Sequence, residues 1–351
     1  MRLLEWAISR IGLPDEAAMA QCRERLDSLT KPQGSLGMLE DVAVKVAGIT
    51  GQIAPDLSDR AVVVMAGDHG VTVEGVSAYP SEVTPQMVLN FLRGGAAINV
   101  LAGHAKARVV VADVGVAADI SGDGLRRIKV RRGTANMAVG PAMSRGEAVE
   151  CVEAGIRLAH EMIDEGAAML ATGDMGIGNT TASSAILAAF SGLDTVRVTG
   201  RGTGLDDSRL RLKADVIRRA LEVNAPDPSD PLDVLHKVGG LEIGGIAGVV
   251  LGAASRRVPV VIDGFISSAG ALIAQKLQPG VRHFMIASHL SEEPGHRVIL
   301  DMIGLEPMLH MRMRLGEGTG AVLAFTLIDA SMRVLREMAT FAEAGVSGRS
   351  D

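Results

Sequence analysis

Short apolar runs recur along this chain, separated by segments of helical periodicity. Six of them, at 61–65, 108–112, 167–171, 195–199, 258–262 and 283–287, are close to continuously apolar rather than alternating. That is the pattern of parallel strands covered on both faces by crossover helices. The segments 3–26 and 321–341 space their apolar residues as amphipathic helices do, and from about Pro294 onward the strand–helix alternation stops. The two ends of the chain are therefore expected to meet in a small, mostly helical domain. The predicted boundaries are 30–295 for the large domain and 1–29 with 296–351 for the small one.

The resulting fold class is α/β: a parallel sheet with helices on both faces, Rossmann-like, plus the small helical domain. Composition agrees. Of 351 residues 47% are apolar but only 2% aromatic, so Ala, Val, Leu, Ile and Met must fill the core. The net charge of −6, with acids and bases interspersed, offers no basic face to a polyanion, so nucleic acid is not an expected partner. Cys22 and Cys151 form no Cys-x-x-Cys unit, which fits a reducing cytoplasm. The first residues lack the apolar run of a signal peptide, and no uninterrupted apolar stretch is long enough for a membrane helix.

The loops after the predicted strands carry the chemistry. Gly67-Asp-His-Gly70, Asp113-Val-Gly115, Thr172-Gly-Asp-Met-Gly-Ile-Gly-Asn179, Gly200-Arg-Gly-Thr-Gly204, Asp263-Gly264 and Ser288-His-Leu-Ser291 hold most of the Gly, Asp, Ser and His clusters. Ligands of open parallel sheets bind outside the carboxyl ends of the strands, so the site is expected at that rim. The loop 173–181 precedes a helix beginning near Asn179; its glycines let amides converge on a phosphate at the helix start, or they make a tight turn capped by Asn179, Thr180 and Thr181. The loop 200–204 repeats the arrangement. Lys213 falls on the apolar stripe marked by Leu210, Ile217 and Leu221, so it either snorkels or points inward as a phosphate partner. Neither loop matches the P-loop or the dinucleotide fingerprint.

Glu317 stands between Gly316 and Gly318 beside apolar Leu315. Partial burial there would raise its pKa toward the range of a general base; a Glu at a helix start is also favoured by the dipole alone. Asp68 and His69 suggest an acid–base pair or a capped turn. Asp174 and Asp263, at strand ends, suit ribose hydroxyls or helix caps. His289, His296 and the acids between them suggest a metal cluster, but Pro294 and Gly295 break the helix that would align them. No Gly-x-Ser-x-Gly elbow supports a serine hydrolase.

Read in order, Leu29-Thr-Lys-Pro-Gln-Gly-Ser-Leu-Gly37, Gly67-Asp-His-Gly-Val71, Glu74-Gly-Val-Ser-Ala-Tyr-Pro80, Val83-Thr-Pro-Gln86, Gly176-Ile-Gly-Asn-Thr-Thr181, Gly202-Thr-Gly-Leu-Asp206, Ile262-Asp-Gly-Phe265 and Leu315-Gly-Glu-Gly-Thr-Gly320 resemble the nicotinate-nucleotide–dimethylbenzimidazole phosphoribosyltransferases, over about residues 29 to 320. The resemblance implies a parallel-sheet large domain, a small domain built from both ends, a homodimer, and a reaction needing neither metal nor cofactor. It implies Glu317 as the general base for the benzimidazole proton. Gly176, Gly178, Asn179, Thr180, Gly202, Thr203, Lys213 and Asp263 fall to the nucleotide, and Ser77, Tyr79, Gln86 and Leu315 to the aromatic base. Asp174, a further carboxylate of the site, stands where the family pattern has Glu. The implied reaction moves ribose 5-phosphate from nicotinate mononucleotide to dimethylbenzimidazole and makes the lower-ligand nucleotide of cobalamin. A glycohydrolase using water in the same pockets, and a nucleotide sensor without chemistry, are the competing readings.

Overall fold

The computed structural model describes residues 2–202 and 204–347. Its centre is a six-stranded, all-parallel sheet: β1 (Arg60–Gly67), β2 (Arg108–Gly115), β3 (Arg126–Arg127), β4 (Met169–Met175), β5 (Val260–Ile262) and β6 (Met285–Ala287), in the order β3-β2-β1-β4-β5-β6. Strand order reverses between β1 and β4, which places the topological switch point, and the crevice outside it, at their carboxyl ends.

β1 shows why such strands read as unbroken apolar runs. Ala61, Val63 and Met65 enter one core, and Val62, Val64 and Ala66 enter the other, with no solvated face left to require a polar residue. The first core is closed by the Arg145–Asp164 and Leu241–Ser255 helices, which pack on each other, the latter also lying across β1, β2 and β4. The second is closed by the Met38–Thr50 and Thr319–Glu337 helices, the latter against β4 and β5. The chain ends meet at Leu29 and Thr340, which form an antiparallel bridge, and the Thr30 N–H donates to the Ala339 carbonyl at 3.0 Å. The Leu3–Arg10 helix rests instead on Arg145–Asp164 and Leu241–Ser255.

One expected strand fails, and one strand lies outside the expected six. The segment 195–199 is the Thr195–Val198 helix, not a strand. Asp194 caps it by accepting from Val196 N–H at 2.8 Å, and its buried residues, Thr195 and Val198, are spaced i,i+3; with no strand partner to pair with, β-branched composition does not decide. β3 was not anticipated, being two arginines long with no apolar run to mark it. Elsewhere the strands shift by a few residues: β4 runs to Met175, and β5 and β6 are shorter than their apolar runs.

Candidate active site

A cavity of about 440 Å³ opens at the carboxyl ends of the strands. One wall is the turn after β4, Gly176-Ile-Gly-Asn-Thr180, which leads into the Asn179–Ser191 helix. The turn is pinned from below: the Ile177 N–H donates to Thr84 Oγ1 at 3.1 Å, and Gly176 passes so close to β1 that a Cβ on it would sit 2.2 Å from the Gly67 carbonyl oxygen. Glycine is required there by space, not by its φ. Gly202 completes this corner, and behind it Lys213 is fully buried with its ammonium donating to Thr180 Oγ1 at 2.8 Å and to the Gly200 carbonyl at 3.1 Å. Burial pushes the Lys213 pKa down to about 8, with the Glu293 charge acting the other way.

The opposite wall is Arg314 to Glu317. Gly316, Glu317 and Gly318 have φ of +85°, +64° and +90°, so Glu317 is a non-glycine residue in left-handed backbone, a conformation held only where its surroundings enforce it. Two contacts enforce it. Gly173 of β4 lets the Glu317 backbone approach to where a Cβ would meet its carbonyl at 2.5 Å. Asp263, just past β5, accepts from the Gly318, Gly320 and Ala321 amides at 3.2, 2.8 and 3.0 Å and so caps the Thr319–Glu337 helix. Glu317 is 6% exposed, and its carboxylate accepts from Ile98 N–H at 3.3 Å. Burial raises its pKa; the Ile98 amide opposes the shift and the Asp263 charge adds to it.

Asp174 lies between the walls. It is buried, accepts from Asn179 Nδ2 at 2.9 Å through Oδ2, and has no hydrogen-bond partner at Oδ1. Burial, then the charges of Asp263 and Glu242, hold its carboxyl well above the usual range. Apolar Val76, Val83, Met87, Phe265 and Ile266 complete the lining, with Ser77, Tyr79 and Leu315 toward the mouth; Tyr79 and Leu315 are 54% and 58% exposed. Backbone donors with a buried cation on one side, an apolar slot, and a buried carboxylate on the other: the arrangement suits a phosphorylated sugar carrying a flat base.

The family model for phosphoribosyltransferases matches residues 11–346. The chain is 59% identical over 349 residues to the nicotinate-nucleotide–dimethylbenzimidazole phosphoribosyltransferase of Desulforamulus reducens, covering 99% of each chain, and 58% identical over 352 residues to that of Chloroflexus aggregans, covering 100% of each. The chain belongs to this phosphoribosyltransferase family. The crystal structure of CobT from Thermus thermophilus superposes with a TM-score of 0.91 at 52% identity, over 95% of this chain and 100% of that one.

Within this phosphoribosyltransferase, Glu317, Asp174, Gly176, Gly178, Asn179, Thr180, Gly202, Ser77, Tyr79 and Leu315 all line one cavity. Lys213 and Asp263 lie behind its walls and act through Thr180, Gly200 and the 318–321 amides. Gln86 is on the Val83–Leu92 helix but is not among the lining residues, where Val83 and Met87 are. Thr203 lies outside the described residues. His69 does not pair with Asp68. It is fully buried against Glu242 (Nε2–Oε1 2.6 Å), while Asp68 accepts from Ala117 N–H at 2.8 Å. Both ring nitrogens of His296 face protein partners: Nδ1 accepts from Ser291 N–H at 2.8 Å and Nε2 lies 2.9 Å from Ser268 Oγ, and burial holds its pKa down at about 3. Among the described residues no three His, Cys, Asp or Glu side chains gather as a metal site would. Sequence reasoning missed Arg314, the apolar slot and the place of Glu293 beside Gly202. Glu293 had a signal, standing in a rim loop just before the helix-breaking Pro294-Gly295 pair, but nothing local shows that it faces Gly202.

Proposed function

We propose that this chain transfers ribose 5-phosphate from nicotinate mononucleotide to a ring nitrogen of dimethylbenzimidazole, releasing nicotinate, in cobalamin nucleotide assembly. The observation that carries it furthest is the Glu317 carboxylate, buried at the wall opposite the Gly176–Gly202 corner with a raised pKa. The names of the close relatives supply the substrates. With the phosphate at the Thr180–Gly202–Lys213 corner, the ribose lies across the apolar slot and the acceptor stacks toward Tyr79 and Leu315.

The nicotinate ring of the mononucleotide is a pyridinium, already a leaving group that needs neither protonation nor a Lewis acid. As one nitrogen of the neutral benzimidazole attacks C1′, the C1′–N bond to nicotinate breaks and its electron pair returns to the pyridine ring. Glu317 takes the proton from the acceptor's other nitrogen, so positive charge does not accumulate on the product base. Direct displacement inverts C1′ and converts the β-linked nucleotide into an α-linked one. Most of the remaining acceleration comes from holding the two substrates in line.

The same proposal includes a homodimer working in the cytoplasm. Cys22 and Cys151 are both free and buried, which suits a reducing compartment, and no helix among the described residues is long and apolar enough to cross a membrane. Light scattering on purified protein tests the dimer. The reaction is tested by following nicotinate release from the mononucleotide with and without dimethylbenzimidazole. Acceptor-dependent release is expected; release without acceptor identifies a glycohydrolase, and none at all a binding protein.

A further inference from the structure

The Gly202 corner already holds an anion, and it belongs to the protein. Glu293 lies on the loop between β6 and the Gly295–Ile303 helix, lines the cavity, and accepts from the Gly202 N–H through Oε1 at 2.9 Å. The residue is 7% exposed, yet Oε2 has no hydrogen-bond partner and presses against Gly200, where a Cβ would lie 1.9 Å from it. A buried carboxylate with one oxygen unmatched is costly unless a charge or a later partner compensates it. The compensating charge is Lys213, whose ammonium hydrogen-bonds the neutral Thr180 hydroxyl and Gly200 carbonyl and feels the Glu293 charge.

We propose that Glu293 is the resident occupant of the phosphate corner, displaced when a phosphorylated substrate arrives. In the empty protein it satisfies the Gly202 amide and supplies the counter-charge of Lys213, so the corner is held in shape without ligand. A phosphate cannot share those donors with a carboxylate, because like charges in a desolvated pocket repel strongly. The incoming phosphate therefore takes over the Gly202 amide and the counter-charge role towards Lys213, and the Glu293 side chain swings into the open cavity beside it. A small singly charged anion exchanges one charge for one and gains little. A nucleotide phosphate brings a second charge and is anchored by its ribose, so the corner favours the substrate over free small anions.

This inference rests on reading the Thr180–Gly202–Lys213 corner as the phosphate site. The experiment is isothermal titration of the full-length protein with inorganic phosphate, nicotinate mononucleotide and dimethylbenzimidazole, on wild type, Glu293→Gln and Glu293→Asp. Gln removes the charge at equal size; Asp keeps the charge but cannot reach the Gly202 amide. Glu293→Gln is expected to bind phosphate and mononucleotide about tenfold more tightly than wild type, Glu293→Asp, which keeps the repelling charge, to tighten less, and the acceptor to be unaffected in both. Unchanged or weaker phosphate binding by both variants overturns the proposal. If phosphate tightens but the mononucleotide does not bind any variant, the displaceable carboxylate stands and the nucleotide substrate falls. If the mononucleotide binds and turns over but neither ligand responds to position 293, the substrate stands and the displacement falls.

Discussion

The two walls of the cavity are built by opposite means. The wall at 176–180 and 202 is shaped by backbone: its turn is fastened to Thr84 and packed against Gly67, and three of its six residues are glycines. The wall at 315–318 acts through one side chain, the Glu317 carboxylate, presented by strained backbone that Asp263 and Gly173 hold in place. A backbone wall tolerates no added atoms but is indifferent to side-chain chemistry. A side-chain wall is the reverse: its shape can be conserved while its function is removed by a single atom.

The comparison is broken most sharply at Gly176. Gly176→Val would drive its side chain into the Gly67 carbonyl, so nucleotide binding should be lost and the melting temperature should fall by the equivalent of about 1–3 kcal/mol of overpacking. Calorimetry with and without mononucleotide checks both, and a Val variant that binds normally would move the phosphate elsewhere. On the other wall, Glu317→Gln leaves the shape intact. Binding of both substrates should persist while kcat and kcat/KM fall together by about 10²–10⁴. The wild-type enzyme should also lose kcat as pH drops through the Glu317 pKa, which lies above its ordinary 4.5, because the base must be ionised to accept a proton; the Gln variant should lack that acid limb.

Lys213 tests whether the backbone wall needs a charge behind it. Lys213→Ala should raise KM for the mononucleotide by a factor matching about 1.5–3 kcal/mol and leave that for the base nearly unchanged. Equal kinetics for both substrates would make Lys213 a packing residue. The smallest effect is expected at Asp174, between the walls. Its folded pKa is raised, so the stability tied to its proton is full below the unfolded value of 3.8 and is lost as pH rises through the folded value. Asp174→Asn should therefore melt at a higher temperature than wild type at pH 8, and the gain should shrink toward pH 4. A variant that melts lower at both ends would mean that the ionised carboxylate is structurally required.

Much of the site was legible because it is local. Gly173 lies near the end of one strand with Gly176 and Gly178 in the turn after it, and Glu317 is flanked by its own two glycines, so short-range steric rules point to both. The partners that decide what these residues do are not local. Asp263 reads as a ribose ligand or a cap from its position at a strand end, and only the fold brings the 318–321 amides onto its oxygens, 55 to 58 residues along the chain. His69 invites pairing with the neighbouring Asp68, but its partner is Glu242, 173 residues away, because the Leu241–Ser255 helix begins above the end of β1.

The parallel sheet, the rim on which the cavity opens and the family are all readable from the order of residues alone, since unbroken apolar strands and glycine-bearing turns are set by burial and sterics over a few residues. Whether 195–199 is strand or helix is not, because β-branched residues extend only where a neighbouring strand offers hydrogen bonds, and that neighbour is a tertiary fact. Nor does residue order show that Lys213 is sealed behind Thr180, that Gln86 leaves the lining to Val83 and Met87, or that Glu293 occupies Gly202. Each depends on which side chain the packing turns toward the cavity, and on a desolvation that exists only once distant segments have closed over it.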